Sequence, residues 1–205
     1  KSRPDELNQD HLHEFGPNSF TLFRITKRKK SNVGGLLGRN GIGKSTLLRI
    51  LAGELVPNLG NFEVPPTKDE VTEHYVGKPM HEYFKGVYGG GFKAVHKPQY
   101  VDKIPKVVKG KTGALLKKLD ERGVLDEIIE DLELGHLLDR DLEVLSGGEL
   151  QRVAIATAII RDAPVYPFDE PSRFLDVHHR TRAACIVRGL AADYRMVVAA
   201  EPDPA

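Results

Sequence analysis

The nine residues from Gly38 to Thr46, GRNGIGKST, constrain this chain more than any other feature. They match G-x-x-x-x-G-K-[ST] at every fixed position, and that pattern works only between a strand and a helix. An apolar stretch, NVGGLL (Asn32 to Leu37), precedes it, and STLLRILAG (Ser45 to Gly53) follows with helical spacing. Gly41 and Gly43 allow the backbone to curl so that successive N–H groups converge on phosphate oxygens. Lys44 neutralises the β- and γ-phosphates, the Ser45 hydroxyl can ligate Mg²⁺, and the helix N-terminus adds partial positive charge. Asn40, Gly41, Ile42, Gly43, Lys44, Ser45 and Thr46 are therefore the expected nucleotide-binding loop. With this glycine content a chance match occurs on the order of once in a hundred chains, before the flanking elements are counted.

The rest of the chain alternates strands with helices. Phe20 to Thr26 (FTLFRIT) reads as a strand, followed by a solvated turn at Lys27 to Lys30. Residues 57–110 are rich in Pro, Gly and Lys and read as an inserted region of turns and small helices. From Thr112 to Leu138 the apolar spacing is helical, through Leu115, Leu116, Leu119, Leu125, Ile128, Ile129 and Leu132. A helix is expected from Gly147 to about Arg161, a strand at Val165 to Phe168, a helix over Asp176 to Leu190, and a closing strand in RMVVAA. Such alternation implies an α/β domain with a largely parallel central sheet. The sequence stops directly after a strand, which reads as a fragment of something longer.

VYPFDEP supplies acids at the end of a buried strand. Asp169 falls at the C-terminal end, where open α/β sheets bind ligands, and is expected to hold Mg²⁺. Glu170 is placed to orient or deprotonate an attacking water. Pro167 inside that strand removes one ladder donor. A helix-capping acidic turn would explain the two acids alone, but not their company with the Lys44 loop. Gln99 follows a short strand candidate, KAVHK, and on physics alone is a surface hydrogen-bonder.

LSGGELQR, Leu145 to Arg152, opens the second long helix. Ser146 and Glu149 form a capping box. The adjacent glycines are the anomaly, because each weakens a helix start by up to ~1 kcal/mol. They make sense where something must approach the backbone closely.

Thirty Lys plus Arg against 29 Asp plus Glu leave a net charge of +1, which excludes a globally basic nucleic-acid binder. The single cysteine, Cys185, permits no disulfide framework or cysteine-based metal cluster. Its apolar neighbours suggest a buried thiol. The N-terminus lacks a signal-peptide core, and the longest nearly apolar run, VAIATAII, is far short of the ~18 residues a membrane span needs. A soluble, cytoplasmic protein is expected.

LSGGELQR resembles the signature motif of the ABC ATPases. The other stations of that superfamily occur in order: the phosphate loop, a Q-loop glutamine at Gln99, the signature, FDEP at 168–171, and a D-loop, SRFLD, at 172–176. KPQYVDKIPKVVKG (Lys97 to Gly110), PNLG and FDEPSRFLDV are further similar to the first nucleotide-binding domain of the RNase L inhibitor family, the ribosome-recycling ATPases of subfamily E. The resemblance implies an ABC-type P-loop fold, with a RecA-like parallel-sheet core, an antiparallel β subdomain and a helical signature subdomain. It implies one domain over residues 1–205, with an insertion at about 75–95 resembling the family's helix-loop-helix. ATP and Mg²⁺ are the implied ligands, with Ser45, Gln99 and Asp169 at the metal, Glu170 and Gln99 in catalysis, and Phe15 and Phe20 stacking on adenine. Ser146, Gly147 and Gly148 would touch an ATP held by a second nucleotide-binding domain. Implied partners are that domain, the small ribosomal subunit with its rRNA and proteins, and release or initiation factors, but no membrane. Lys103, Lys106, Lys109 and Lys111 are candidates for rRNA phosphates.

Three departures stand out. The family's iron–sulfur domain, with eight cysteines, is absent here, so iron–sulfur clusters are expected only of a full-length member. The second nucleotide-binding domain is also absent. Where the family has a switch histidine, this chain reads Glu201-Pro202-Asp203. Proline can neither contact a phosphate by side chain nor donate from its backbone. That raises an alternative, an ATP-dependent binding module with weak or no hydrolysis; an ABC transporter subunit is a third possibility. Arg173 and Phe174 also replace the usual Ser and Tyr of the D-loop.

Overall fold

A computed structural model describes residues 12–14, 21–22, 33–61, 63–78, 80–193 and 195–202. Its centre is a parallel three-stranded sheet in the order β3 (Val33–Gly38), β5 (Met196–Pro202), β4 (Val165–Asp169). Val33 pairs with Val197 and Gly38 with Pro202, while Val165 pairs with Met196 and Asp169 with Ala200. The register brings Gly38, Asp169 and Pro202 to one edge, the C-terminal ends of all three strands, where such sheets bind ligands. A short antiparallel pair, β1 (His13–Glu14) and β2 (Thr21–Leu22), lies apart from this sheet. Thus the strand expected at Phe20 to Thr26 is described only at Thr21 and Leu22, and Lys27 to Lys30 lie outside the described residues.

β4 is buried at every position. The extended segment 94–97 runs parallel beside it through bridges Ala94–Val165 and Lys97–Phe168. This explains how Pro167 is tolerated. The oxygens of Val165 and Pro167 accept from Val95 and Lys97, so the missing Pro167 N–H also faces that segment, between the two isolated bridges.

The largest core cluster packs α7 (Gly147–Ile159) against the sheet and against α5 (Thr112–Leu119), α6 (Leu125–Asp131) and α8 (Val177–Ala192). Eight residues of α7 from Leu150 to Ile159 are 6 % exposed or less, so this helix is apolar nearly all round because it is covered nearly all round. The helical spacing of 112–138 is divided in two. Asp120 accepts from the amides of Gly123, Val124 and Leu125, and Gly123 has φ +68°, so the chain turns before α6 begins.

A smaller cluster buries Ile50, Val71 and Phe84 where α1 (Lys44–Leu51) meets α2 (Lys68–His74) and α3 (His81–Tyr88). Helical structure in the inserted region therefore begins ahead of residue 75. A four-residue helix, α4 (Ile104–Val107), follows at KIPKV. Cys185 is exposed, which corrects the expectation of a buried thiol. The inward face of α8 is Ala183, Val187, Leu190 and Ala191, and position 185 lies about 200° from Ala183 on the helical wheel.

Candidate nucleotide-binding site

At the C-terminal edge of the sheet, β3 runs into the loop and the loop into α1. Gly41 and Gly43 have φ +85° and +84°, so both need the left-handed freedom of glycine. At Gly38 a Cβ would lie 2.2 Å from Ile42 Cδ1, so a side chain there would have to displace the end of Ile42. The N-cap of α1 is Gly43, with no side-chain cap, which leaves the first amides of the helix open to an anion. Lys44 turns its ammonium back onto the carbonyls of Gly38 and, at 3.0 Å, of Arg39. Asn40, Gly41, Gly43, Lys44, Ser45 and Thr46 line a cleft of about 570 Å³ with Gln99, Tyr100, Glu170 and Arg173.

The acids expected at the end of β4 are held there by an unusual set of donors. Asp169 is 2 % exposed, and its Oδ1 is buried without a hydrogen-bond partner among the described residues. An orphaned carboxylate oxygen behind a phosphate loop fits a cation. Glu170 follows with φ +46°, a left-handed conformation that a non-glycine residue enters only when its surroundings impose it. The imposing contacts are identifiable. Glu170 N donates to Ala200 O at 2.8 Å, and Glu170 O accepts from Gln151 Nε2 at 2.8 Å and Lys97 Nζ at 3.3 Å. Its carboxylate accepts from Gln99 Nε2 at 2.7 Å through one oxygen and from Arg173 Nη1 at 3.1 Å through the other. Gln99 and Glu170, far apart in the chain, are thus in direct contact.

Lys97, Gln151 and Arg173 were not foreseen as site residues. Lys97 is 1 % exposed and donates to Asp169 O at 2.8 Å. Burial pushes its ammonium down to about 8, against the opposing pull of Asp169, Glu201 and Glu170. Its signal was period-two alternation, which places Lys97 on the same face as buried Val95. Gln151, fully buried, also donates to Pro171 O at 2.9 Å, tying α7 to the Glu170 turn. Nothing local marked it, because glutamine in a helix is ordinarily solvated.

The capping box at the start of α7 is present. Ser146 Oγ accepts from Glu149 N at 3.3 Å, and Glu149 Oε2 accepts from Ser146 N at 2.7 Å. The Ser146 amide, with Ser146 Oγ and Arg140 further supporting the charge, holds the Glu149 carboxyl below its usual range. The structure also gives the glycines a reason within the chain. A Cβ on Gly148 would lie 2.9 Å from Phe174 O, and one on Gly147 would meet the Phe174 ring at 3.5 Å. Phe174 itself has φ +62°. The close approach inferred from the double glycine is therefore made, at least in part, by the D-loop of the same chain. Ser146, Gly147 and Gly148 do not line the Lys44 cleft.

Pro202 ends β5 opposite Gly38, at the rim of the phosphate loop. Glu201 accepts from Ser172 N at 2.9 Å and Ser172 Oγ at 2.8 Å, so the last strand anchors the start of the D-loop. Phe15, Phe20 and Asp203 lie outside the described residues. Of the four lysines proposed for rRNA, Lys109 pairs with Glu143, Lys111 lies 3.2 Å from Asp141, and Lys103 sits over the Tyr100 ring. Only Lys106 has no such partner among the described residues. No helix among them is long and apolar enough to cross a membrane.

Comparison with known proteins places this geometry. Residues 26–173 match the family model described as ABC transporter. An uncharacterized ABC transporter ATP-binding protein of Methanocaldococcus jannaschii is 53% identical over 188 residues, covering 91% of this chain and 31% of that protein. ABC transporter E family member 1 of Arabidopsis thaliana is 46% identical over 200 residues, covering 98% of this chain and 33% of the relative. Among solved structures, a complex of archaeal ribosomal stalk protein aP1 with the archaeal ribosome recycling factor aABCE1 superposes with a TM-score of 0.89. Identity there is 46%, over 96% of this chain and 38% of the matched one. The chain spans about a third of the length of the curated relatives it matches.

Proposed function

This chain belongs to the ABC ATPase family, and from that premise we propose that it is the first nucleotide-binding domain of a subfamily E ribosome-recycling ATPase. The observation that carries the reading is the Gln99–Glu170 contact in the cleft lined by Lys44 and Ser45. It brings a phosphate loop, a carboxylate base and a polar positioning group to one point. The loop amides and Lys44 bind the β- and γ-phosphates, for which Lys44 must leave the carbonyls of Gly38 and Arg39. Glu170, fixed by four side-chain donors, those of Lys97, Gln99, Gln151 and Arg173, orients the attacking water and accepts its proton. Ser45, Asp169 and Gln99 are the residues to hold Mg²⁺, which when bound neutralises charge developing on the phosphoryl oxygens. Phe15 and Phe20 are assigned to adenine on resemblance alone.

The signature residues act on a different nucleotide. They lie outside the cleft that holds this chain's own phosphates, at the exposed start of α7. Ser146, Gly147 and Gly148 would complete the ATP site of a second nucleotide-binding domain, and closure of the pair would drive ribosomal subunits apart. Support comes from the relatives, since one structural neighbour is a recycling factor in complex with a ribosomal stalk protein. A transporter subunit has less support, because that neighbour and the E-family relative each match 96% or more of the chain at 46% identity. An ATP-dependent binding module with slow turnover is the second reading, and Pro202 at the rim of the loop favours it. Sedimentation of the full-length protein with small ribosomal subunits tests the ribosomal assignment. Co-sedimentation that depends on a non-hydrolysable ATP analogue is expected; co-purification with a membrane-spanning partner instead would contradict it.

A further inference from the structure

Among the described residues, two cationic side chains line the nucleotide cleft, Lys44 and Arg173. Lys44 is accounted for by the phosphate loop; Arg173, in the D-loop, is not. Its guanidinium is held against the cleft from three sides. Nη1 lies 3.1 Å from Glu170 Oε2, the Phe174 ring centroid is 4.9 Å away, and the Tyr100 centroid is 5.8 Å away. Only Nη1 is engaged in hydrogen bonding among the described residues, so the remaining donors of the planar fork stay available. Arginine presents those donors in a geometry that matches phosphate oxygens.

We propose that Arg173 is a γ-phosphate ligand supplied in cis, which lets the cleft tell a nucleoside triphosphate from a diphosphate. The argument rests on the assignment of Glu170 as the residue that holds the attacking water. That water must lie against the γ-phosphate, and Arg173 lies against the same carboxylate. A guanidinium within hydrogen-bond reach of the base is therefore within a side-chain swing of the terminal phosphate. The triphosphate carries more negative charge than one carboxylate, so its arrival draws the guanidinium off Glu170. The same movement frees Glu170 Oε2 to accept from water. The cation–π contacts with Tyr100 and Phe174 offset part of the cost of ordering the guanidinium.

Equilibrium binding to the full-length protein tests the proposal, with ADP and the β,γ-imido analogue of ATP as probes. Arg173→Gln is expected to weaken the ATP analogue about tenfold, the loss of one charge-assisted contact, while ADP affinity changes less than twofold. Arg173→Lys should recover part of the difference, since it keeps charge without the fork. The same selective loss should persist in a Glu170→Gln background, which removes the carboxylate partner. Equal effects on both nucleotides, no effect on either, or disappearance of the effect in the Glu170→Gln background would each overturn the proposal. A wild-type protein that binds both nucleotides, with affinities indifferent to Arg173, removes this inference alone. One that binds neither removes the nucleotide-binding assignment with it.

Discussion

The two glycines at the start of α7 differ in surroundings, and that difference is measurable. Gly148→Ala puts a methyl group 2.9 Å from the carbonyl oxygen of Phe174, which is backbone in a left-handed turn and has little freedom to retreat. Overpacking of this kind costs roughly 1–3 kcal/mol. The gain in helix propensity returns at most ~1 kcal/mol. Gly147→Ala places its methyl 3.5–3.8 Å from the Phe174 ring, an ordinary van der Waals distance, so only the favourable part applies. The two variants should therefore differ by about 2 kcal/mol, which for a domain of this size separates their melting temperatures by about 4–8 °C. Scanning calorimetry of the two proteins under one set of conditions makes the comparison. If Gly148→Ala melts at or above Gly147→Ala, the D-loop contact does not explain the second glycine. Gly147→Ala is then also useful functionally, because it should be well folded yet slow in ATP hydrolysis if that face meets another domain's nucleotide.

Other consequences concern the devices around the cleft. Ser146→Ala removes the cap of α7 and should cost about 1 kcal/mol in urea unfolding. Glu149 has a depressed folded pKa, so its contribution is full above its ordinary 4.5 and fades as pH falls through the lower folded value. The stability gap between wild type and Glu149→Gln, measured by urea unfolding at stepped pH, should accordingly narrow below pH 4.5; a gap that widens on acidification would reverse the assignment. Lys97→Met deprives the Asp169 carbonyl of its buried donor, and displacement of the acidic turn should slow ATP turnover by about tenfold or more. Affinity for a non-hydrolysable ATP analogue should stay within twofold, since Lys97 does not line the cleft.

How much of this was readable from the amino acids depended on range. The phosphate loop was legible because its constraints are local: glycines at positive φ, one lysine, and a strand feeding a helix. The capping box at Ser146 and Glu149 was legible for the same reason. Asp169 and Glu170 were legible because an acidic pair ending a buried strand is rare without a purpose. Lys97 and Gln151 were not, since each acts on backbone distant in sequence, 72 and 73 residues away for Lys97 and 19 and 20 for Gln151. Arg173 is only three residues from Glu170, but the positive-φ turn that brings the two together has no sequence pattern of its own. Cys185 was misjudged because its apolar neighbours lie on other faces of α8. The double glycine points to a close approach to the backbone, and the structure shows one at Gly148. That Phe174 makes one was invisible, because the approach joins the start of α7 to the loop after β4.

The central claim is that Glu170, held by Gln99 and Arg173 beside the phosphate loop, is the base of an ATPase. Single-turnover hydrolysis of γ-labelled ATP by the full-length protein, with Glu170→Gln as the inactive reference, tests it most directly. The account predicts phosphate release by the wild type well above the reference, despite Pro202. A wild-type rate indistinguishable from that of Glu170→Gln would contradict it and leave a domain that binds ATP without turning it over.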